Sequence, residues 1–412
     1  MGTGALAHIR ICDFTGQLAG AGATKFLAAM GAEVIRIEDP VTEGRWDILR
    51  GAPPFKDKRR GPEFGSGFNN HNVNKLGITL NLRTERGKEL LAELVRRSDA
   101  VTENFAPGVL ERWGFGYSHL RELKEDILYV SNCGFGQVGP YGTFKSWGPI
   151  AQAVCGLTFT SGLPEQPPAG WGYSYMDHTG GYYMAIAILA GLFHRARTGE
   201  GQWIDMSCTE AGAALCGPAL LDADVNDRPL RRPGSPNSNR NPWPAMAPHG
   251  IYPADGDDDW IAISVADDEQ WRRFAALVGE PWATDERWRA RDERLDHQDE
   301  LDKAVGAWTR GQERFALAER LRHAGVAAAP VQRPGERIDG DPSTAAYGLW
   351  PTVQHAAMGE IRVDGLPVHL SETDWAITEG GPLLGMHNDD VYTRVLGLSA
   401  SEVDGLRAEG VI

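Results

Sequence analysis

Segments that read as strands and segments that read as helices alternate through the first half of the chain. The strand-like runs are residues 8–12, 33–37, 77–82, 100–102, 127–131 and 202–206. The helix-like segments include residues 20–30, 84–98 and 209–221. Strands separated by helices usually pair in parallel, because a parallel connection has to cross back along the sheet. The sequence therefore predicts an α/β fold with a largely parallel, doubly wound sheet.

Two Pro-rich stretches divide the chain. Residues 225–250 and 332–343 have the composition of linkers. Between them, residues 251–331 carry their own strand and helix pattern and are predicted to form a smaller α/β domain. The large domain is then built from residues 1–224 and 344–412. Its C-terminal part is expected to contain strands at 361–363 and 368–370 and a helix pair from about 388.

Residues 184–193 (MAIAILAGLF) are apolar on every side of a helix. A segment of about ten residues is too short to cross a bilayer, which needs roughly 20 apolar residues. A short helix that is apolar all round is typical of a protein interior. We therefore expect a buried core helix.

The charge balance argues against large anionic partners. The 412 residues include 41 Lys and Arg and 56 Asp and Glu, giving a formal net charge of −15 and a pI near 5.2. Nucleic-acid and membrane-surface proteins need basic patches, so neither partner is expected. The five cysteines are scattered and form no C-x-x-C pair, so no metal site is expected. With no signal-like N-terminus, a cytoplasmic location is expected.

The first strand leads into a glycine-containing turn and helix. Gly20-Ala21-Gly22-Ala23-Thr24-Lys25 is close to the dinucleotide-binding fingerprint, and Glu38 and Asp39 stand where a ribose-binding acid would. Lys25 replaces the third glycine of that fingerprint, which serves close helix–strand packing. Three interpretations stay open at this point: a coenzyme A-type site, an NAD site, or a plain turn that opens a helix.

Three further segments are candidates for ligand-binding loops. Asn72-Val73-Asn74-Lys75 precedes a strand, and Thr102–Gly108 and Gly134–Tyr141 follow strands. Ligands of open α/β sheets bind at the carboxyl ends of the strands. Each segment is also compatible with an ordinary connecting turn.

Asp177 lies directly before the apolar helix, where an aspartate is a favoured N-cap. At that position the helix dipole is expected to lower the pKa of the carboxyl group and keep it ionised. An ionised carboxylate can act as a covalent nucleophile. Such N-cap aspartates are nevertheless more often structural than catalytic. The adjacent His178 is expected to pack against its neighbours and not to act as an acid or base.

Several of these motifs, taken in order, resemble one family. They are DFTG, GAEVIRIEDP, N-x-N-K, ENFAPGVLERWGF, GFGQVGPY, HRARTGEGQWIDMS and the tail from PLLGMHNDDVY onward. Together they resemble the class III CoA-transferases over nearly the whole chain. The resemblance implies a Rossmann-like large domain and a small domain joined by two linkers. It also implies an interlocked homodimer, acyl-CoA and carboxylic acid substrates, and no metal.

The resemblance also implies residue roles. Asp177 falls on the catalytic aspartate, and the coenzyme A contacts fall on Gln17, Leu18, Asn74, Lys75, Asn104, Gly134, Phe135 and Gln137. The chain departs from formyl-CoA transferase in two places. Asp39 stands where that enzyme has an arginine, and residues 241–249 lack its glycine-rich loop.

Two other enzyme classes remain as alternatives. The α-methylacyl-CoA racemases of the same superfamily need a histidine where this chain has Trp147. An NAD-dependent oxidoreductase is the second alternative, and a non-enzymatic dimeric scaffold is a third possibility. The leading prediction is transfer of coenzyme A from an acyl-CoA to a free carboxylic acid through an aspartyl-CoA thioester.

Overall fold

The computed structural model describes residues 4–163, 165–229, 231, 233, 237–241 and 243–412. The strands are β1 Arg10–Phe14, β2 Glu33–Glu38, β3 Leu76–Thr79, β4 Ala100–Glu103, β5 Leu128–Cys133, β6 Gln202–Ser207, β7 His249–Pro253, β8 Trp260–Ser264, β9 Ala327–Pro330, β10 Thr352–His355 and β11 Gly359–Arg362. The α-helices before residue 250 are α1 Ala19–Ala29, α2 Ser66–His71, α3 Glu85–Arg96, α4 Val109–Arg112, α5 Tyr117–Leu123, α6 Gly148–Val154, α7 Tyr175–Thr198, α8 Cys208–Leu215 and α9 Gly217–Asn226. Those that follow are α10 Asp268–Val278, α11 Arg291–Asp296, α12 Gln298–Thr309, α13 Arg314–His323, α14 Pro342–Tyr347, α15 Asn388–Asp390 and α16 Ala400–Ala408.

The chain divides into two compact units. One comprises residues 1–158, 170–221 and 343–412, and the other comprises 159–169 and 222–342. Residues 159–169 thus group with the second unit, although they lie within the range that the sequence assigns to the large domain.

The first unit is built on a six-stranded parallel sheet with strand order β3-β2-β1-β4-β5-β6. The chain moves outward from β1 to β3 and then returns to place β4 on the other side of β1. This reversal between β1 and β4 is the switch point at which open α/β sheets bind ligands. The prediction of an α/β fold around a parallel sheet is confirmed.

Both faces of this sheet are covered, so its strands consist of nearly continuous apolar runs. Successive side chains of a strand point to opposite faces. Ile11 and Val34 accordingly join a core with Leu27 of α1 and Ile188 of α7. Side chains such as Cys12 and Ile35 join a second core with residues of α3, α5 and α16. The sheet thereby holds the ends of its strands rigidly.

Helix α7 corrects one expectation. It runs from Tyr175 to Thr198, well beyond the ten residues predicted. Its buried face includes Met184 and Ile188, but Ile186 is 61% exposed and Phe193 is 64% exposed in this chain. The prediction of an entirely buried core helix is therefore wrong. An apolar composition does not distinguish a buried helix face from an exposed apolar face.

Two smaller expectations also fail. The helix predicted over 209–221 is two helices, α8 and α9, which are separated at Cys216. Residues 368–370 do not form a strand, although β11 forms near the predicted 361–363.

The second unit contains an antiparallel sheet of order β7-β8-β9. Its core includes Trp271 and Phe274 of α10, Val305 of α12 and Leu317 of α13. Asp267 caps α10 by accepting a hydrogen bond from the Gln270 N–H. No helix within the described ranges is both long and apolar enough to cross a membrane.

A buried ion pair lies where β1 ends. The Asp13 carboxylate accepts hydrogen bonds from the hydroxyl groups of Thr15 (2.6 Å), Thr24 (3.0 Å) and Thr102 (2.8 Å). It also lies 3.2 Å from the Lys75 ammonium, and both side chains are fully buried. Burial raises the pKa of Asp13, but the positive charges of Lys75 and Arg36 outweigh this effect, so the pKa lies below its usual value. Burial lowers the pKa of Lys75 to about 8 despite the attraction of Asp13.

Replacing Lys75 tests the structural importance of this pair. Lys75→Met leaves the Asp13 charge buried without its cation, and losing one partner of a buried pair costs on the order of 3–5 kcal/mol. We expect a correspondingly lower midpoint in chemical denaturation. The control is Lys88→Met, whose ion pair with Glu85 lies at the surface and is worth about 0.5 kcal/mol or less. A Lys75→Met protein as stable as wild type would contradict this role.

Candidate active site

The turn after β1 and the end of β4 are joined at the switch point. Because β1 and β4 are adjacent, with Phe14 opposite Glu103, the residues that follow them meet. The Gly16 N–H donates to the Asn104 side-chain oxygen at 2.7 Å, and the Asn104 amide donates back to the Gly16 carbonyl at 3.0 Å. Gln17 follows in a left-handed conformation, with φ of 55°. Asn104 therefore fixes the turn that carries Gln17.

Asp177 lies in the first turn of α7, with Ser174 at the N-cap. The expectation that Asp177 is itself the N-cap is wrong by three residues. Helix α7 packs closely against the start of α1, where a Cβ on Gly181 would lie 2.9 Å from the Ala19 carbonyl oxygen. This close approach brings Asp177 next to the turn at Gln17.

The pKa of Asp177 differs in direction from the sequence expectation. Burial raises the pKa of this carboxyl group, and hydrogen bonds from Ser174 and the Gly148 N–H only partly offset the effect. The expectation of a lowered pKa is therefore wrong, because desolvation is the largest effect on this group. The carboxylate is consequently more basic than an exposed aspartate.

A cavity of about 290 Å³ opens above these residues. Its lining includes Gln17, Asn104, Phe105, Gly134, Lys145, Trp147, Gly148, Asp177 and Cys208. Four of the predicted site residues are thus brought together: Gln17, Asn104, Gly134 and Asp177. They come from the ends of β1, β4 and β5 and from the start of α7.

Two further predicted residues lie beside the cavity. The Phe135 ring packs against Tyr141 and Phe144, with ring centroids about 6 Å apart. The Gln137 N–H donates to both carboxylate oxygens of Asp205 at 2.9 Å. These contacts hold the turn that follows β5.

Three predicted residues lie elsewhere. Leu18 lines a neighbouring cleft with His71 and His178. The Asn74 side chain holds a distant loop, donating to the Ala376 carbonyl and accepting from the Thr378 N–H. The Lys75 ammonium lies in the interior with Asp13 and does not line the cavity.

Lys145 and Gly148 are among the residues of this cavity that sequence reasoning missed. Lys145 is an exposed cation, and its position a few residues after the glycine-rich turn was the available signal. Gly148 starts α6, and a Cβ there would lie 2.5 Å from Asp177 Oδ2. Only the folded structure reveals that this glycine leaves room for the carboxylate.

Neighbouring polar groups are poorly suited to act as nucleophile or base. Burial and the charge of Asp177 raise the pKa of Cys208 to about 12, so its thiol stays protonated near pH 7. His178 faces the neighbouring cleft, where its Nε2 lies 2.8 Å from the Tyr173 hydroxyl. Burial lowers the pKa of His178. Asp177 is the candidate nucleophile of the cavity.

The acids expected near a dinucleotide ribose have other partners. Glu38 is buried and accepts hydrogen bonds from the Arg50 guanidinium. Asp39 pairs with Arg83 at 2.9 Å, and Lys25 pairs with Asp364 at 3.0 Å. These contacts disfavour an NAD site. Among the described residues, no three His, Cys, Asp or Glu side chains are grouped as a metal site.

Comparison with known proteins identifies the family. Residues 6–388 match the family described as CoA-transferase family III. The chain belongs to that family. It is therefore a CoA-transferase, and the resemblance seen in the motifs is confirmed.

Relatives align with nearly the full chain. The chain is 34% identical to the formyl-CoA:oxalate CoA-transferase of Streptomyces coelicolor, with 99% of each protein covered. It is 33% identical to the succinyl-CoA–D-citramalate CoA-transferase of Chloroflexus aurantiacus, covering 99% of this chain and 98% of that one. The structure of a CAIB/BAIF family protein from Brucella suis matches with a TM-score of 0.84, at 28% identity over 95% of this chain and 99% of that one.

Gly148→Ala tests the close approach to Asp177. A methyl group 2.5 Å from Asp177 Oδ2 has to displace the carboxylate. We expect kcat/KM for CoA transfer to fall about tenfold or more, since each ~1.4 kcal/mol in the barrier is a factor of ten.

The matched control is Gly405→Ala in α16, where an added Cβ meets no atom within 4 Å. It is expected to keep full activity. Equal activity of both CoA-transferase variants would show that Gly148 does not constrain the site.

Proposed function

We propose that Asp177 forms an aspartyl-CoA thioester while coenzyme A moves from an acyl-CoA donor to a free carboxylic acid. The observation that carries this proposal is the cavity itself. It combines a desolvated carboxylate, Asp177, with the turns at Gln17 and Gly134 and with Asn104. The Cys208 thiol, which also lines the cavity, stays protonated near pH 7.

The first half of the reaction breaks the donor thioester. The Asp177 carboxylate attacks the donor acyl carbonyl, forming a mixed anhydride and expelling the coenzyme A thiolate. The thiolate then attacks the aspartyl carbonyl, forming the enzyme thioester and releasing the donor acid. The raised pKa of Asp177 supports this role, because a more basic, less solvated carboxylate is a stronger nucleophile.

The second half regenerates the enzyme. The acceptor carboxylate attacks the aspartyl thioester and expels the thiolate, which then takes the acyl group from the new anhydride. Each bond formed replaces one of similar energy, so no ATP is consumed. Water has to be kept from the anhydride and thioester.

We propose that Gln17, Leu18, Asn104, Gly134, Phe135 and Gln137 contact coenzyme A, together with Lys145. Helix α1 begins at Ala19, and its N-cap residue Leu18 makes no side-chain hydrogen bond to the free N–H groups of the first turn. Such a helix start favours anionic groups. Asn74 and Lys75 are proposed to act indirectly, by holding the surrounding structure.

The relatives suggest the class of substrate. Their names pair formyl-CoA with oxalate, and succinyl-CoA with D-citramalate. Another relative, from Agrobacterium fabrum, is named succinate–glutarate CoA-transferase. We propose that this chain likewise exchanges coenzyme A between small carboxylic acids.

We also propose an interlocked homodimer in the cytoplasm. Exposed apolar residues of α7, including Tyr182, Ile186 and Phe193, lie on one face of the helix. An apolar face of this kind supports burial against a second copy. Coenzyme A thioesters as substrates support the cytoplasmic location.

Replacing the nucleophile tests the proposal. Asp177→Asn keeps the size of the side chain and removes its charge, so we expect loss of CoA transfer by a factor of about 10³ or more, the scale on which removing a covalent catalyst acts. Far-ultraviolet circular dichroism and the melting temperature are expected to stay close to wild type. A folded Asp177→Asn enzyme with a tenth of the wild-type rate would refute the assignment.

Isotope exchange separates transfer from racemisation. Inverting the carbon next to a thioester needs one group to remove the proton and another to return it. Trp147 lines the cavity at the position where the racemases have histidine, and its indole N–H only donates. We expect no deuterium at the α-carbon of a 2-methylacyl-CoA incubated in heavy water, as measured by mass spectrometry. Rapid incorporation without an acceptor acid would favour an isomerase.

A further inference from the structure

Glu103 is a buried acid that the proposed reaction does not use. It ends β4, between Thr102, which donates to Asp13, and Asn104, which holds the turn at Gly16. The residue is only 2% exposed. Its Oε2 accepts a hydrogen bond from the Phe105 N–H at 2.7 Å. The side chain is thus anchored at the end of the strand that leads into Asn104.

The other oxygen of Glu103 reaches the turn after β5. Glu103 Oε1 lies 3.2 Å from the Gln137 Nε2, which donates to it, and 3.2 Å from the Tyr129 hydroxyl. The Gln137 backbone N–H donates to Asp205 of β6. Gln137 is therefore held at its side chain by β4 and at its backbone by β6, on either side of β5.

We propose that Glu103 is a positioning residue that fixes the turn carrying Gln137 relative to the turn carrying Gln17. Gln17 and Gly134, one from each turn, both line the cavity, and the consecutive residues Glu103 and Asn104 link the two turns. The inference rests on the proposed function, since it assigns a role in binding coenzyme A.

The charged groups around Glu103 determine its protonation state, and its hydrogen-bond partner Gln137 is an uncharged amide. The titratable groups that face it are Tyr129 and Cys133 of β5, Asp205 of β6 and Glu111 of α4. On the β1 side, its register partner is Phe14. No basic side chain within the described ranges forms an ion pair with it. Burial, with the charges of Glu111 and Asp205, raises the pKa of Glu103 to about 8.

Glu103 is accordingly mostly protonated at pH 7. A protonated carboxyl group sits beside Asp205 without charge repulsion, whereas ionisation above pH 8 places a second negative charge next to the turn. Because the folded-state pKa lies above the unfolded value, the fold loses stability as the pH rises from about 4.5 to 8. Glutamine stays neutral at every pH and keeps one acceptor oxygen, so it is free of this pH dependence.

The experiment compares Glu103→Gln, Glu103→Met and the exposed control Glu89→Gln, using calorimetric binding of free coenzyme A. At pH 7 we expect Glu89→Gln to bind within about twofold of wild type, and Glu103→Gln, which keeps one acceptor oxygen for Gln137, to bind more tightly than Glu103→Met. Glu103→Met is expected to bind about tenfold more weakly, the effect of losing a buried hydrogen bond of ~1.4 kcal/mol. Between pH 7 and 9, wild type is expected to lose affinity more steeply than Glu103→Gln.

Two further measurements separate positioning from a general loss of structure. Because Glu103 acts through Gln137, the losses of coenzyme A affinity caused by Glu103→Met and by Gln137→Ala are expected to be less than additive in the double variant. The melting temperature of wild type is expected to fall relative to Glu103→Gln as the pH rises from 5 to 9.

The outcomes distinguish this inference from the proposed function. Unchanged coenzyme A binding by Glu103→Met, additive losses in the double variant, or a Glu103→Gln protein as impaired as Glu103→Met would each overturn the role of Glu103. None of these results would affect Asp177. A wild-type protein that does not bind coenzyme A would overturn both.

Discussion

The buried ion pair of Asp13 and Lys75 organises the switch point of the sheet. Asp13 gathers hydroxyl groups from the following turn, from α1 and from β4, while Lys75 connects it to the segment before β3. A buried pair is favourable only when its remaining hydrogen bonds are satisfied. The hydrogen bonds that satisfy Asp13 come from Thr15 and Thr102, and they fix the positions of the strand ends that lead into Gln17 and Asn104. The geometry of the candidate site therefore depends on a charge pair that does not line the cavity.

Much of the fold could be predicted because its signals are local. Apolar runs separated by helical patterns indicated the parallel sheet, and Thr84 marked the start of α3, which it caps. The errors arose where local pattern is ambiguous. The apolar stretch of α7 has one buried and one exposed face, which composition cannot distinguish. Residues 368–370 have strand-like composition, but they pair with no strand in the part of the chain that the structure describes.

The site was predictable in part, because some of its residues are marked by the same local signals. Gln17, Asn104, Gly134 and Asp177 stand at ends of predicted elements, and the topology brings those ends together. Lys75 has the chemistry of a phosphate ligand, but its ammonium group points into the interior because it pairs with Asp13, which lies 62 residues earlier in the chain. The pKa of Asp177 depends on burial that only packing determines. Gly148 carries no sequence signal, and the Thr102–Gly108 segment does not single out Glu103, because the importance of both residues lies in distances of a few ångströms across the fold.

The central claim is that coenzyme A becomes covalently attached to Asp177. The direct measurement is peptide mass spectrometry of wild-type enzyme incubated with an acyl-CoA in the absence of acceptor acid. The account predicts the mass of coenzyme A on the peptide containing Asp177, insensitive to disulfide reductants, discharged by hydroxylamine and missing from Asp177→Asn. Absence of the adduct during active turnover, or an adduct that reductants remove from the Cys208 peptide, would contradict it.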